Sequence, residues 1–109
     1  PNVFSYIQAN SKNPFHTIMK PMYDYYLSAY QKLNPSIEGP LLHDVVAISG
    51  LVNPSFFGFV HRTVNVDTYG DTKGQTFADF RHSSISEGAR IALEIDEQKF
   101  IQDFMKIML

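Results

Sequence analysis

The apolar residues of this chain change their spacing part-way along, and that change limits the folds open to it. Phe15, Ile18, Met19, Met22, Tyr23, Tyr26, Leu27 and Tyr30 follow the 3.6-residue period of an amphipathic helix. Between Phe59 and Tyr69 the pattern becomes alternation: Val60, Arg62, Val64, Val66 and Thr68 interleave with His61, Thr63, Asn65 and Asp67. That two-residue period, rich in β-branched side chains, predicts a strand. A chain carrying both periods needs helices and sheet together, so the expectation is an α/β fold. With 109 residues, 44% of them hydrophobic, there is material for one modest core and not for two. Residues 1–109 are therefore read as a single unit.

The breakers divide the chain. Val3, Phe4 and Ile7 suit a brief helix within Asn2 to Asn10, ended by Asn10-Ser11-Lys12-Asn13-Pro14. Pro21 interrupts the next helical stretch and predicts a kink or break there. Asn34-Pro35-Ser36-Ile37-Glu38-Gly39-Pro40 holds turn formers and two prolines, so it reads as a loop delivering Leu41-Leu42 to the next element. Asp44 is the expected N-cap of a helix in which Val45, Ile48, Leu51 and Val52 share a face, stopped by Asn53-Pro54. After the Phe59–Tyr69 strand, Gly70-Asp71-Thr72-Lys73-Gly74 is a turn, and Gln75 to Phe80 returns to make a β-hairpin. Arg81 to Gly88 reads as polar loop, and Ala89 to Ile95 as one further strand, the best candidate for a buried one. Asp96 is expected to cap a closing helix striped by Phe100, Ile101, Phe104, Ile107 and Met108.

Charge and composition exclude several functions. Nine basic against eleven acidic residues give a formal charge of -2 with no basic run, so neither nucleic acid nor an anionic membrane is an expected partner. Cysteine is absent, which removes disulfides, thiolate metal sites and Cys nucleophiles, and fits a reducing, cytoplasmic setting. No stretch approaches the roughly 18 apolar residues of a membrane span, and no basic-then-apolar leader is evident. The first residue is Pro1 rather than Met, and the expectation is that these residues are a piece of a longer protein.

The most chemically suggestive spot is His43-Asp44, within Gly39-Pro40-Leu41-Leu42-His43-Asp44-Val45-Val46-Ala47-Ile48. An imidazole exchanges protons near neutral pH and a carboxylate binds hard cations, so one turn supplies both. Taken alone, the pair also fits a plain helix start, with Asp44 as cap. His16, His61 and His82 are scattered without ligand spacing and predict no second metal site. Gly70 to Gly74 lacks a P-loop Lys-Ser/Thr pair and reads as a hairpin turn rather than a phosphate cradle. Asp67, Asp71 and Asp79 lack EF-hand spacing and read as solvated turn carboxylates.

Taken together, the Gly39–Ile48 segment, Asn53-Pro54, Val64-Asn65-Val66-Asp67-Thr68-Tyr69-Gly70, Thr72-Lys73-Gly74-Gln75-Thr76 with Asp79 and Arg81, and Ile91-Ala92-Leu93-Glu94-Ile95-Asp96 resemble, in order and spacing, the C-terminal part of the inosine-uridine-preferring nucleoside hydrolases. The resemblance covers the chain from about Phe15 onward. It implies the C-terminal third of an open mixed-sheet nucleoside hydrolase fold and cleavage of ribonucleosides to ribose and free base. It further implies Asp44 as a calcium (Ca2+) ligand, His43 as the acid that protonates the leaving base, and Tyr26, Tyr30 and Gln31 as substrate-binding candidates near the nucleobase. The same tyrosines, at helical spacing, also suit core packing. The family's aspartate-rich N-terminal motif, which supplies the other calcium ligands and the general base, is not among these residues. The isolated chain is thus expected to be inactive and to need the N-terminal part of the same protein, with a homo-oligomer as the working assembly. Two other readings stay open: a non-catalytic chain that associates through exposed apolar surface, and a small α/β binding module in which His43-Asp44 is only a helix start.

Overall fold

The computed structural model describes residues 3–81 and 88–109. It is an α/β arrangement, as the two apolar periods require, and it divides into two compact units: Pro1–Ser49 with Glu97–Leu109, and Gly50–Asp96.

The first unit carries α1 (Val3–Asn10), α2 (His16–Leu33), the start of α3 (His43–Val52) and α4 (Glu97–Met108). Its centre is aromatic. The Phe4 ring stacks on Tyr23 with centroids 4.3 Å apart and lies 5.9 Å from Phe104, which in turn lies 6.3 Å from Phe100. Such pairs add about 0.5–1.5 kcal/mol each beyond the area they bury, so one ring on α1 ties α2 to α4. Ile7, one turn on from Phe4, is fully buried. The linker between α1 and α2 also holds the far end of α4. The Ser11 hydroxyl donates to the Met108 carbonyl at 2.5 Å, and the Lys12 N–H donates to the Leu109 carbonyl at 3.3 Å. Helix C-termini leave carbonyls without internal partners, and these two are met by residues almost a whole chain length away.

Two expectations need correction here. Of the kink or break expected at Pro21, the break does not occur: Pro21 lies inside α2, which runs continuously from His16 to Leu33. The carbonyl that Pro21 deprives of a donor belongs to Thr17, and both residues are exposed, so water can serve that carbonyl. The Lys20–Asp24 ion pair at 2.5 Å also spans the proline. Asp44 is not the N-cap of α3. The helix begins at His43, and the Val46 N–H donates to the Leu42 carbonyl at 3.0 Å. Leu42 therefore takes the capping place, and Asp44 sits in the first turn, where a carboxylate complements the helix dipole.

The second unit carries a 3-10 turn (Pro54–Phe56), β1 (Phe57–Arg62), β2 (Val64–Val66), β3 (Thr76–Ala78) and β4 (Ala89–Ile95). The long strand expected from Phe59 to Tyr69 starts earlier and breaks at Thr63. Its first part pairs antiparallel with β4 and its second antiparallel with β3, so one alternating run serves two sheets. In the β1–β4 pair Gly58 faces Glu94 while Phe59 faces Ala92, which leaves Leu93 as a bulge. A Cβ at Gly58 would lie 3.1 Å from the Glu94 Cβ, so a side chain there would force Glu94 to shift where the strands approach closely. Arg90 lies over the Phe59 ring at 3.7 Å, a cation–π contact across the sheet. The expected burial of β4 does not hold: most of its residues are exposed and only Ile91 and Ile95 are half-buried. Among the described residues it pairs with one strand, β1.

The β2–β3 hairpin is organised by Asp67. Its carboxylate accepts from the Tyr69 N–H at 3.1 Å and from the Thr72 hydroxyl. Its backbone closes the turn, the N–H donating to Gln75 at 2.8 Å and the carbonyl accepting from Gly74 at 2.7 Å. Gly70 and Gly74 take φ of 80° and 93°, the left-handed region open to glycine. The solvated turn carboxylate expected at Asp67 is thus a structural acceptor. The donation from Thr72, then that from Tyr69, holds its carboxyl below the ordinary value of 3.8.

Two outcomes follow. Ser11→Ala strips the α4 carbonyl of its donor and lowers stability by about 1 kcal/mol, read as an earlier midpoint in urea unfolding. Asp67 is charged in the folded hairpin to lower pH than in the unfolded chain, so its stabilisation is complete above 3.8 and is lost as pH falls through the depressed folded value. Amide exchange at Tyr69 should accelerate over that acid window in the native sequence and show no such step in Asp67→Asn.

Candidate functional site

His43 and Asp44 occupy consecutive positions in the first turn of α3, and both side chains are exposed. The preceding loop places them there. Asn34 ends α2 with its N–H on the Tyr30 carbonyl at 2.9 Å, and its own carbonyl accepts from Ile37 at 3.1 Å. The Asn34 side chain accepts from the Ser36 hydroxyl at 2.7 Å. Gly39, Pro40 and Leu42 are half-buried, and Pro40 fixes its own φ, so the loop reaches His43 along a restricted path. The imidazole and the carboxylate are presented outward from a rigid element.

Tyr26 and Tyr30, one turn apart on α2, come together: their centroids are 6.1 Å apart and their planes inclined at 40°. Tyr26 is exposed and Tyr30 half-buried, so the pair offers an aromatic surface with one wet edge. Gln31 is rotated about 100° from Tyr30 around the helix. It is exposed and falls in line with Asp24, two turns back, on the polar side that bears the Lys20–Asp24 ion pair. Tyr23 separates from the other tyrosines, since its ring is committed to Phe4. The signal for that was its angular position, which falls with Met19 and Leu27, both half-buried.

Among the described residues no three of the His, Cys, Asp and Glu side chains gather to hold a metal. Calcium takes about six to eight oxygen ligands, so Asp44 alone does not fit the ion, and this stretch offers at most one carboxylate to such a site. His16 is engaged locally, its Nδ1 lying 2.7 Å from the Asn13 carbonyl. His61 is half-buried on β1, and His82 lies outside the described residues. In the second unit, an open depression of about 480 Å³ is lined by Asn65, Phe77, Ala78, Asp79, Phe80 and Arg81. The guanidinium of Arg81 there is committed to Asp79 at 2.7 Å. None of the five candidate residues lines that depression.

The family model of the inosine-uridine preferring nucleoside hydrolases matches residues 2–102. The chain belongs to this family. A pyrimidine-specific ribonucleoside hydrolase RihA of Shigella boydii is 31% identical over 91 residues, which cover 82% of this chain and 29% of that protein. RihA of Klebsiella pneumoniae subsp. pneumoniae is 29% identical over the same shares of the two chains. The chain thus spans under a third of the length of the curated nucleoside hydrolases it matches. A purine-preferring ribonucleoside hydrolase from Gardnerella vaginalis superposes with a TM-score of 0.72 at 25% identity, covering 97% of this chain and 33% of its own. A plant nucleoside hydrolase superposes with a TM-score of 0.79 at 17% identity, a likeness of fold. Among the described residues no helix is long and apolar enough to cross a membrane.

The donor set of this nucleoside hydrolase segment sets a concrete limit. Titration of the 109-residue chain with calcium chloride should show no affinity tighter than about 1 mM, and Asp44→Asn should remove whatever weak heat remains at that site.

Proposed function

We propose that these residues act as the C-terminal segment of a calcium-dependent nucleoside hydrolase that cleaves the N-ribosidic bond of ribonucleosides to ribose and free base, releasing the base for salvage. The observation that carries the reading is the outward presentation of His43 and Asp44 from the first turn of α3 in a chain of this family. Breaking the bond builds oxocarbenium character on the sugar and negative charge on the departing base. His43 donates a proton to the base nitrogen as the C–N bond breaks, and the proton leaves with the base. Water adds to the sugar carbon, its proton taken by a base outside these residues. Tyr26 and Tyr30 give the nucleobase an aromatic surface, and Gln31 gives it an amide that both donates and accepts. Asp44 contributes one carboxylate toward a calcium shell completed elsewhere. When bound, such an ion would orient the ribose hydroxyls and acidify a water.

The apolar surface supports a segment rather than a self-sufficient module. Phe15 at the N-cap of α2 and Ile18, Met22, Tyr25, Tyr26 and Leu33 along it are all exposed, and most of them recur at helical spacing. Such a stripe calls for a covering layer. We assign that layer to the N-terminal part of the same hydrolase, in a cytoplasmic homo-oligomer. The isolated chain should then release no ribose from inosine or uridine.

In the intact enzyme, His43→Ala should lower kcat on natural ribonucleosides by about 10²–10⁴-fold, and far less on p-nitrophenyl riboside, whose leaving group needs no proton. Reducing-sugar release measures both. Equal kinetics for the variant and the native enzyme on inosine and uridine would remove His43 from the mechanism.

A further inference from the structure

Beyond its first turn α3 is apolar on every side. From Val45 to Val52 it carries no charged residue, and a helix of that kind belongs where it is covered all round. Its exposure divides by angle. At about 100° per residue, the half-buried Val46, Ser49 and Gly50 fall together on one side. Val45, Ala47, Ile48, Leu51 and Val52 fall on the other. All five are exposed, Ile48 by 61%, Leu51 by 79% and Val52 by 68%. Asp44 lies within this second arc, between Leu51 and Ile48 in angle. The exposed face therefore begins at the carboxylate and runs to the end of the helix.

We propose that this face of α3 is the docking surface for the N-terminal part of the same hydrolase, so that in the whole protein Asp44 lies inside the joint between the two parts. The proposal rests on the reading of these residues as the C-terminal segment of that enzyme. Two observations select the occupant. The matched stretch is 29% of RihA, so more than two thirds of such a chain lies outside it, ample to supply a layer. Charge decides against a second copy. Asp44 is the one carboxylate on the face, and no lysine or arginine occurs from Leu33 to His61. A copy of the same face laid on this one would set each carboxylate against apolar side chains or against the other carboxylate. Covering a charge without a partner is strongly unfavourable. The layer must therefore be apolar over Ile48, Leu51 and Val52 and must bring a cation or N–H and O–H donors to Asp44. A different stretch of the chain can do both. The stripe on α2 requires only apolar cover, whereas α3 fixes the chemistry opposite one carboxylate.

The test is hydroxyl-radical footprinting of the intact enzyme, read residue by residue by mass spectrometry. Scaled for intrinsic reactivity, Ile48 and Leu51 should be oxidised as little as Ile7, which is fully buried. That protection should persist when the protein is diluted until any oligomer has dissociated. Ile48→Asp puts a charge on the covered face and should lower the Tm of the intact enzyme by about 5 °C or more, with oxidation restored at Leu51. Ile48→Met keeps the face apolar and should lower Tm by only about 1–2 °C. Oxidation of Ile48 and Leu51 in the intact enzyme at the rate of open side chains overturns the proposal. So does protection that disappears on dilution to monomer, which assigns the face to a second copy. Reducing-sugar release from inosine or uridine tests the functional reading separately. If none is released while Ile48 and Leu51 stay protected, the hydrolase reading fails and the docking surface stands.

Discussion

The first unit depends on the contacts of one ring. Phe4 is the residue through which α1 meets both Tyr23 of α2 and Phe104 of α4, and Ile7 beside it is the one fully buried side chain among the described residues. A unit with so small a sealed interior has little packing free energy to spare, since each fully buried large apolar side chain contributes only about 1.5–3 kcal/mol. The geometry of this aromatic group therefore matters more than it would in a larger core.

Local signals in the sequence account for much of the fold, and their failures have a common cause. The hairpin was legible because glycine is the residue that takes positive φ without strain, and Gly70 and Gly74 both do. The stop at Asn53-Pro54 and the closing helix were legible for similar local reasons. The break at Thr63 was not: alternation continues through it undisturbed, and only the change of partner from β4 to β3 interrupts the ladder. Pairing partners lie far off in sequence, and a period-two pattern carries no trace of them. The exposure of β4 is a matter of what lies over it, which its own residues do not encode. At the site, the adjacency of His43 and Asp44 is covalent and the pairing of Tyr26 with Tyr30 follows from helical spacing. The one-residue difference in where α3 begins turned on a backbone bond from Val46 to Leu42, below the resolution of a capping preference.

The exposed stripe on α2 and the thin β1–β4 sheet express the same fact. Elements with apolar faces are stable in layers, and the layers described here leave those faces uncovered. Membership of a family whose curated relatives are nearly three times as long is consistent with that state, and the superpositions show that the segment keeps the family's local architecture.

The bond between Ser11 and Met108 joins residues 97 positions apart, and this has a kinetic side. Closing a flexible loop of that length costs about 4 kcal/mol in chain entropy, and no part of the closure can begin during synthesis until α4 has emerged. The unit formed by Gly50–Asp96 offers a way to reduce that cost. Once β1 has found β4 and β2 has found β3, nearly half of the intervening chain no longer behaves as a free tether. The order of events this favours is sheet first and helical clasp second, so the surface bearing His43 and Asp44 would be among the last parts of the chain to settle.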